Sequence, residues 1–300
     1  MKHLAMLPIL IPLLTGALLL LLERHHRMRV LRVGAWIGMA ALLASAIALL
    51  LQVHEQGMVV YLLGDWPARL GIALMVDRLS AMMVLTTTLL AIPCLMHACA
   101  GWDQRALHFH TLFQLQLMGL NGAFLTGDVF NLFVFFEVML ISSYGLLLSG
   151  ARGPRIRAGM HYAVFNIAAS TLFLIALGLL YGMLGTLNMA EMALRIANAS
   201  PQDAGMLRAG LGLLLVVFCA KAALLPLYLW LPEAYARAPV AVAALFTIMT
   251  KVGLYAVLRI SSLMLGPDAG ALAGFASGWL LPAGAATLVL AALGISAVVI

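Results

Sequence analysis

Three ionisable residues sit where charge is costly. Glu137 lies in the run "LFVFFEVML" (132–140), with no Lys, Arg or His within nine residues on either side. Lys221 closes the apolar run "GLGLLLVVFCA", and Lys251 stands inside "ALFTIMTKVGLYAVL". Unpaired charges at a helix centre in lipid cost about 2.5–3.5 kcal/mol each, so three cost about 8–10 kcal/mol. Residues of this kind face a bundle interior, pair with one another or line a wet cavity, and are functional candidates. A carboxylate beside two amines can pass protons: desolvation favours the neutral amine, and a nearby carboxylate favours the ammonium. Separating Glu137 from Lys221 would let Lys221 release its proton toward Lys251. The alternative is a Glu137–Lys221 ion pair that only fixes helix packing, with Lys251 snorkelling. A lysine reaches about 6 Å, roughly half the distance from Lys251 to the nearer interface.

The elements that must position these groups are helices in a bilayer. The 300 residues are 64% hydrophobic and 9% charged, against about 25% charged in soluble domains. The net charge of +6 does not point to nucleic acid, because the arginines cluster in short loops between apolar segments. The partner read from composition is the lipid bilayer. A core of about 30 Å takes about 20 apolar residues. On that measure the chain is an all-α polytopic membrane protein with about nine transmembrane helices, near 4–22, 31–53, 76–100, 107–126, 128–148, 158–184, 206–229, 238–263 and 271–300. The first apolar run is too long for a signal peptide and ends in charges rather than a cleavage site.

Along helices of this kind the three charges fall at one level. Glu137 is nine residues from Asp128, and Lys221 nine from Trp230. Lys251 is thirteen from Ala238 and eight from Arg259. At 1.5 Å per residue these offsets are about 14, 14, 20 and 12 Å, all near the midplane. Pro226, five residues after Lys221, removes the hydrogen bond to the Ala222 carbonyl and breaks or kinks span seven. Broken helices at membrane depth mark ion sites in transporters, although a plain proline kink would have the same sequence. Asn131, Ser142, Ser143, His161, Asn166, Ser170, Thr247 and Thr250 could carry water or simply bond between helices. His161 can both give and accept a proton.

Loops 23–32 and 149–157 hold Arg24, Arg27, Arg29, Arg32, Arg152, Arg155 and Arg157. With Arg105 and Arg237 they give nine positive charges on one side, against six on the other: Lys2, Arg69, Arg78, Arg195, Arg208 and Arg259. The richer side is assigned to the cytoplasm of a cell inner (plasma) membrane, with the N-terminus outside. Residues 54–72 read as a hairpin or irregular cap around "GDWP", and "NMAEMALRIA" as a short surface helix. Cys94, Cys99 and Cys219 show no metal-ligand or cluster-binding spacing. They read as packing residues, no cofactor is expected, and the metal ligands are left open. His97, His108 and His110 are expected at the membrane interface. "LAALGISAVVI" ends with no cap, as expected of a piece of a longer protein.

"FLTGDVFNLFVFFEVMLISSYGLLL" (124–148) and "KAALLPLYLWLPEAYARAPVAVAALFTIMTKVGLYAVLRI" (221–260) resemble the antiporter-like subunits shared by Mrp-type cation/proton antiporters and respiratory complex I. "HFHTLFQLQLMGLNGAFLTGD" and "GDWPARLGIALMVDRLSAMM" are most similar to the D-type component of the Mrp antiporters. The resemblance implies about fourteen helices with two inverted five-helix repeats. It divides the chain into helices one to three (1–106), a first repeat with broken helix seven (107–263) and the start of helix nine (264–300). The second repeat would follow Ile300 and is missing here. The family's proton-handling glutamate and two lysines fall on Glu137, Lys221 and Lys251, with Pro226, His161 and Asp128 in support. Partner subunits of a hetero-oligomer, H+ and Na+ or K+ are implied. The expected function is a secondary transporter subunit, not an enzyme. The alternative is a proton-pumping subunit of complex I or a membrane hydrogenase.

Overall fold

The long apolar runs become α-helices because lipid offers no partner to an unpaired backbone N–H or C=O. The computed structural model describes residues 3–24, 27–68, 71–150 and 153–299. Lys2, Arg69 and Arg152, three of the cations that orient the chain, lie outside the described residues. The helices are α1 (Leu7–Glu23), α2 (Met28–Gln56), α3 (Arg78–His97), α4 (Phe109–Leu125), α5 (Val129–Leu148), α6 (Pro154–Leu184), α7 (Met189–Ala197), α8 (Ala204–Lys221), α9 (Trp230–Arg237), α10 (Val240–Met264) and α11 (Ser277–Val299). Eight helices among the described residues are long and apolar enough to cross a membrane. The ninth expected span is α4, only 17 residues long.

Two expectations shift at element boundaries. The expected hairpin forms from β1 (Val59–Leu62) and β2 (Ala73–Val76), antiparallel with Val59 opposite Val76. Span three therefore starts later than residue 76, at Arg78. Asp77 fixes that start by accepting from the Ser80 N–H at 2.8 Å, while the Ser80 hydroxyl accepts from the Asp77 N–H. The surface helix expected in 185–204 is α7, capped by Asn188 and packed through Met189, Met192 and Ile196.

The chain forms two compact units, Met1–Val164 with Ala234–Met249 and Phe165–Glu233 with Thr250–Ile300. In the first unit α4 is the enclosed helix, with 14 of its 17 residues buried. Gly119 lets α5 close on it, since a Cβ there would lie 2.8 Å from the Met139 backbone nitrogen. Pro12 inside α1 cannot bond back to the Pro8 carbonyl. Asn121 of α4 supplies the missing donor at 2.9 Å.

Contacts also sort the connections of this unit by end. Glu23 accepts from the His108 backbone N–H, and Arg32 pairs with Asp103. The Arg155 guanidinium donates to the Arg237 carbonyl and lies over the Trp102 ring. The α1–α2, α3–α4, α5–α6 and α9–α10 connections thus share one end, as the charge pattern required. His3 meets Tyr61, and β2 bridges to Thr126, at the other end.

Candidate functional site

The second unit contains the helix break. α8 ends on Lys221 itself, five residues before Pro226, so the proline is not what stops the helix. The Ala223 and Leu224 N–H groups turn back to the Ala220 and Cys219 carbonyls. That is the Schellman arrangement, which needs a left-handed residue just past the cap. Glycine usually holds that position, but here it is Ala223, at φ +55°, and a side chain there costs about 1–2 kcal/mol. Residues 222–229 are not helical, the Leu225–Pro226 peptide is cis, and α9 resumes at Trp230. The Lys221 depth estimate assumed helix through to Trp230 and is corrected: Lys221 is the terminal residue of the half-helix α8.

Neighbouring residues repair what the break exposes. The Trp230 indole N–H donates to the Ala220 carbonyl at 2.9 Å. The Leu225 N–H donates to Thr287 Oγ1 of α11 at 2.9 Å, and the Thr287 hydroxyl proton goes to the Ala283 carbonyl of its own helix. Gly253 of α10 admits the end of α8: a Cβ there would be 2.5 Å from the Ala222 nitrogen and 2.8 Å from the Lys221 carbonyl carbon.

Both candidate lysines are at this break. Lys221 is 4% exposed and donates to Ser170 Oγ of α6 at 3.0 Å. Lys251 is exposed, donates to Thr250 Oγ1 at 3.3 Å and lines a cavity of about 750 Å³. Ala222, Ala223, Thr250, Leu254 and Thr287 contribute to the same walls. A buried amine thus ends one half-helix, and a second amine lines the adjoining cavity, whose walls are otherwise mostly apolar.

Glu137 belongs to the first unit, in the middle of α5 and half-buried. Asp128 accepts from the Asn131 N–H at 2.9 Å and caps α5. His161 is exposed on α6, whereas its neighbour Tyr162 is fully buried with its hydroxyl 2.8 Å from Ser143 Oγ. His110 is 4% exposed, turned inward to Asp103 at 3.1 Å.

Sequence reasoning missed Gly253, Thr287, Trp230 and Ala223. Thr287 had a signal: it is the one hydroxyl between Leu280 and Gly294. Gly253 stands out only as a helix-weakening residue two places after Lys251.

A family described as "NADH:quinone oxidoreductase/Mrp antiporter, TM" matches residues 126–297. A probable K+/H+ antiporter component of the D type from Rhizobium meliloti is 44% identical over 99% of this chain and 56% of its own. The D-type component of an Na+/H+ antiporter from Alkalihalophilus pseudofirmus is 40% identical over 90% of this chain and 55% of its own. A protein in the structure of the Mrp complex from Dietzia sp. DQ12-45-1b is similar with TM-score 0.80 and 32% identity, over 88% of this chain and 49% of that one. The chain thus spans about half the length of the relatives it matches.

Proposed function

From the chain's membership of the NADH:quinone oxidoreductase/Mrp antiporter membrane family, we propose that it is a subunit of a multisubunit monovalent cation/proton antiporter. It is a secondary transporter component, not an enzyme, and works with other subunits in a plasma membrane with its N-terminus outside. Protons pass by way of Glu137, Lys221 and Lys251, coupled to Na+ or K+ efflux. The observation that carries this reading is Lys221, buried at the broken end of α8 beside the cavity that holds Lys251. A half-helix that ends inside the bundle turns its C-terminal carbonyl end toward the site, the kind of broken helix that handles ions in transporters.

Lys221 donates to Ser170 and Lys251 to Thr250, so each amine rests against a hydroxyl that can also accept or relay a proton. Glu137 is assigned from its place in a helix whose sequence holds no Lys, Arg or His, and offsetting the charge of Lys221 is its proposed part. Pro226 keeps the 222–229 segment from re-forming helix.

The second reading, a proton-pumping subunit of a redox complex, is favoured by the oxidoreductase half of the same family description. Vesicles carrying the whole complex, with no electron donor, separate the two. Cation-dependent proton flux is expected, and its loss in Lys221→Ala, Lys251→Ala and Glu137→Ala. Absence of flux from the unaltered complex overturns antiport, and flux that survives all three substitutions overturns the residue assignment.

A further inference from the structure

A second group of reactive side chains lies in the first unit. α3 runs on into a π-helical turn, Ala98–Trp102, before the α3–α4 connection. π-Turns displace one residue from helical register and are frequent at functional sites. Here the turn carries Cys99 and is followed by Asp103, while His110 stands at the start of α4. Their ligand atoms all lie within 4.8 Å of one another. The cysteines therefore do not all read as packing residues, because folding creates a ligand spacing that the linear sequence lacks.

Asp103 is already oriented. Its side chain is fully buried, with Arg32 Nε at 2.7 Å from Oδ2 and Nη2 at 2.8 Å from Oδ1. His110 Nε2 is 3.1 Å from Asp103 Oδ2, and Nδ1 has no hydrogen-bond partner among the described residues. Cys99 is a free thiol and half-buried.

We propose that Cys99, Asp103 and His110 form a site for one zinc-type divalent ion that clips the end of α3 to the start of α4, with Arg32 of α2 orienting the carboxylate. Zinc is bound tetrahedrally at about 2.0–2.3 Å by sulfur, nitrogen and oxygen, so ligand atoms sit about 3.3–3.7 Å apart. The 3.1 Å oxygen–nitrogen separation is close to that edge. A thiolate and an imidazole exclude Mg2+ and Ca2+, which take oxygen ligands. On binding, Oδ2 turns to the ion while Oδ1 keeps Arg32 Nη2, the outer hydrogen bond typical of ligating carboxylates. One His110 ring nitrogen would bind the ion as neutral imidazole, the Cys99 thiol would release one proton to solvent, and water would take the fourth position.

The test uses the purified full-length protein, stripped with chelator and titrated with Co2+. The expected result is one cobalt per chain, with tetrahedral visible bands and a thiolate charge-transfer band that Zn2+ bleaches. Cys99→Ser should abolish the thiolate band, and His110→Gln should weaken binding by more than about ten-fold. Cys94→Ser should change neither. In the unaltered protein, Zn2+ should shield Cys99 from maleimide alkylation, mapped by mass spectrometry. No cobalt band, a band that survives Cys99→Ser, or alkylation of Cys99 at the same rate with Zn2+ each overturns the site.

Discussion

The Thr287 hydroxyl accepts a hydrogen bond from the Leu225 backbone N–H at 2.9 Å, so the residue before Pro226 is paired by a side chain of another helix. Without it that N–H is unpaired at the wall of the Lys251 cavity. Thr287→Val keeps the shape and removes the acceptor, at an expected cost of about 1–3 kcal/mol. Thermal unfolding of the complex should show the loss, and cation-dependent proton flux should fall with it. Thr287→Ser should restore both. If Val and Ser behave alike, the hydroxyl does not hold the break.

Gly253 is where α10 and the end of α8 come closest. A methyl group there would be 2.5 Å from the Ala222 nitrogen, against backbone that cannot step aside. Gly253→Ala is expected to destabilise by about 1–3 kcal/mol through overpacking and to depress transport. Gly284, with nothing within 4 Å of its added methyl, is the control. Gly284→Ala should leave flux and melting temperature unchanged. Equal effects at the two positions would remove the packing explanation.

Asn121 and Pro12 are coupled through one carbonyl. Asn121→Leu leaves the Pro8 oxygen without its donor and should cost about 1–3 kcal/mol. Pro12→Ala restores an N–H inside α1 that can bond the same oxygen. The double variant should therefore be more stable than the sum of the single effects predicts, a coupling readable in a double-mutant cycle from chemical denaturation. Additive effects would show that Asn121 is held for another reason.

Much of the architecture was legible in the sequence because lipid enforces it locally. A run such as Met28–Gln56 has to be helix once it is too apolar for water, whatever surrounds it. The positions of Glu137 and Lys251 within their helices followed for the same reason. The hairpin expected in 54–72 was legible in kind but not in extent, because β2 is an apolar run that ends only two positions before α3 begins at Arg78.

What the sequence alone determined, then, is a set of membrane helices and the few charges that break their apolar pattern. Both depend on the exchange of each segment with its solvent, which is a property of composition. Tertiary structure decided where α8 stops and what the break touches. The helix ends at Lys221 because Ala223 takes a left-handed conformation, Gly253 makes room and Thr287 and Trp230 pair the freed backbone groups. It also gathered Cys99, Asp103 and His110 across a helix turn and a loop. The Gly253–Ala222 and Thr287–Leu225 contacts join residues far apart in the chain, and the energy of such contacts is not encoded in any one segment.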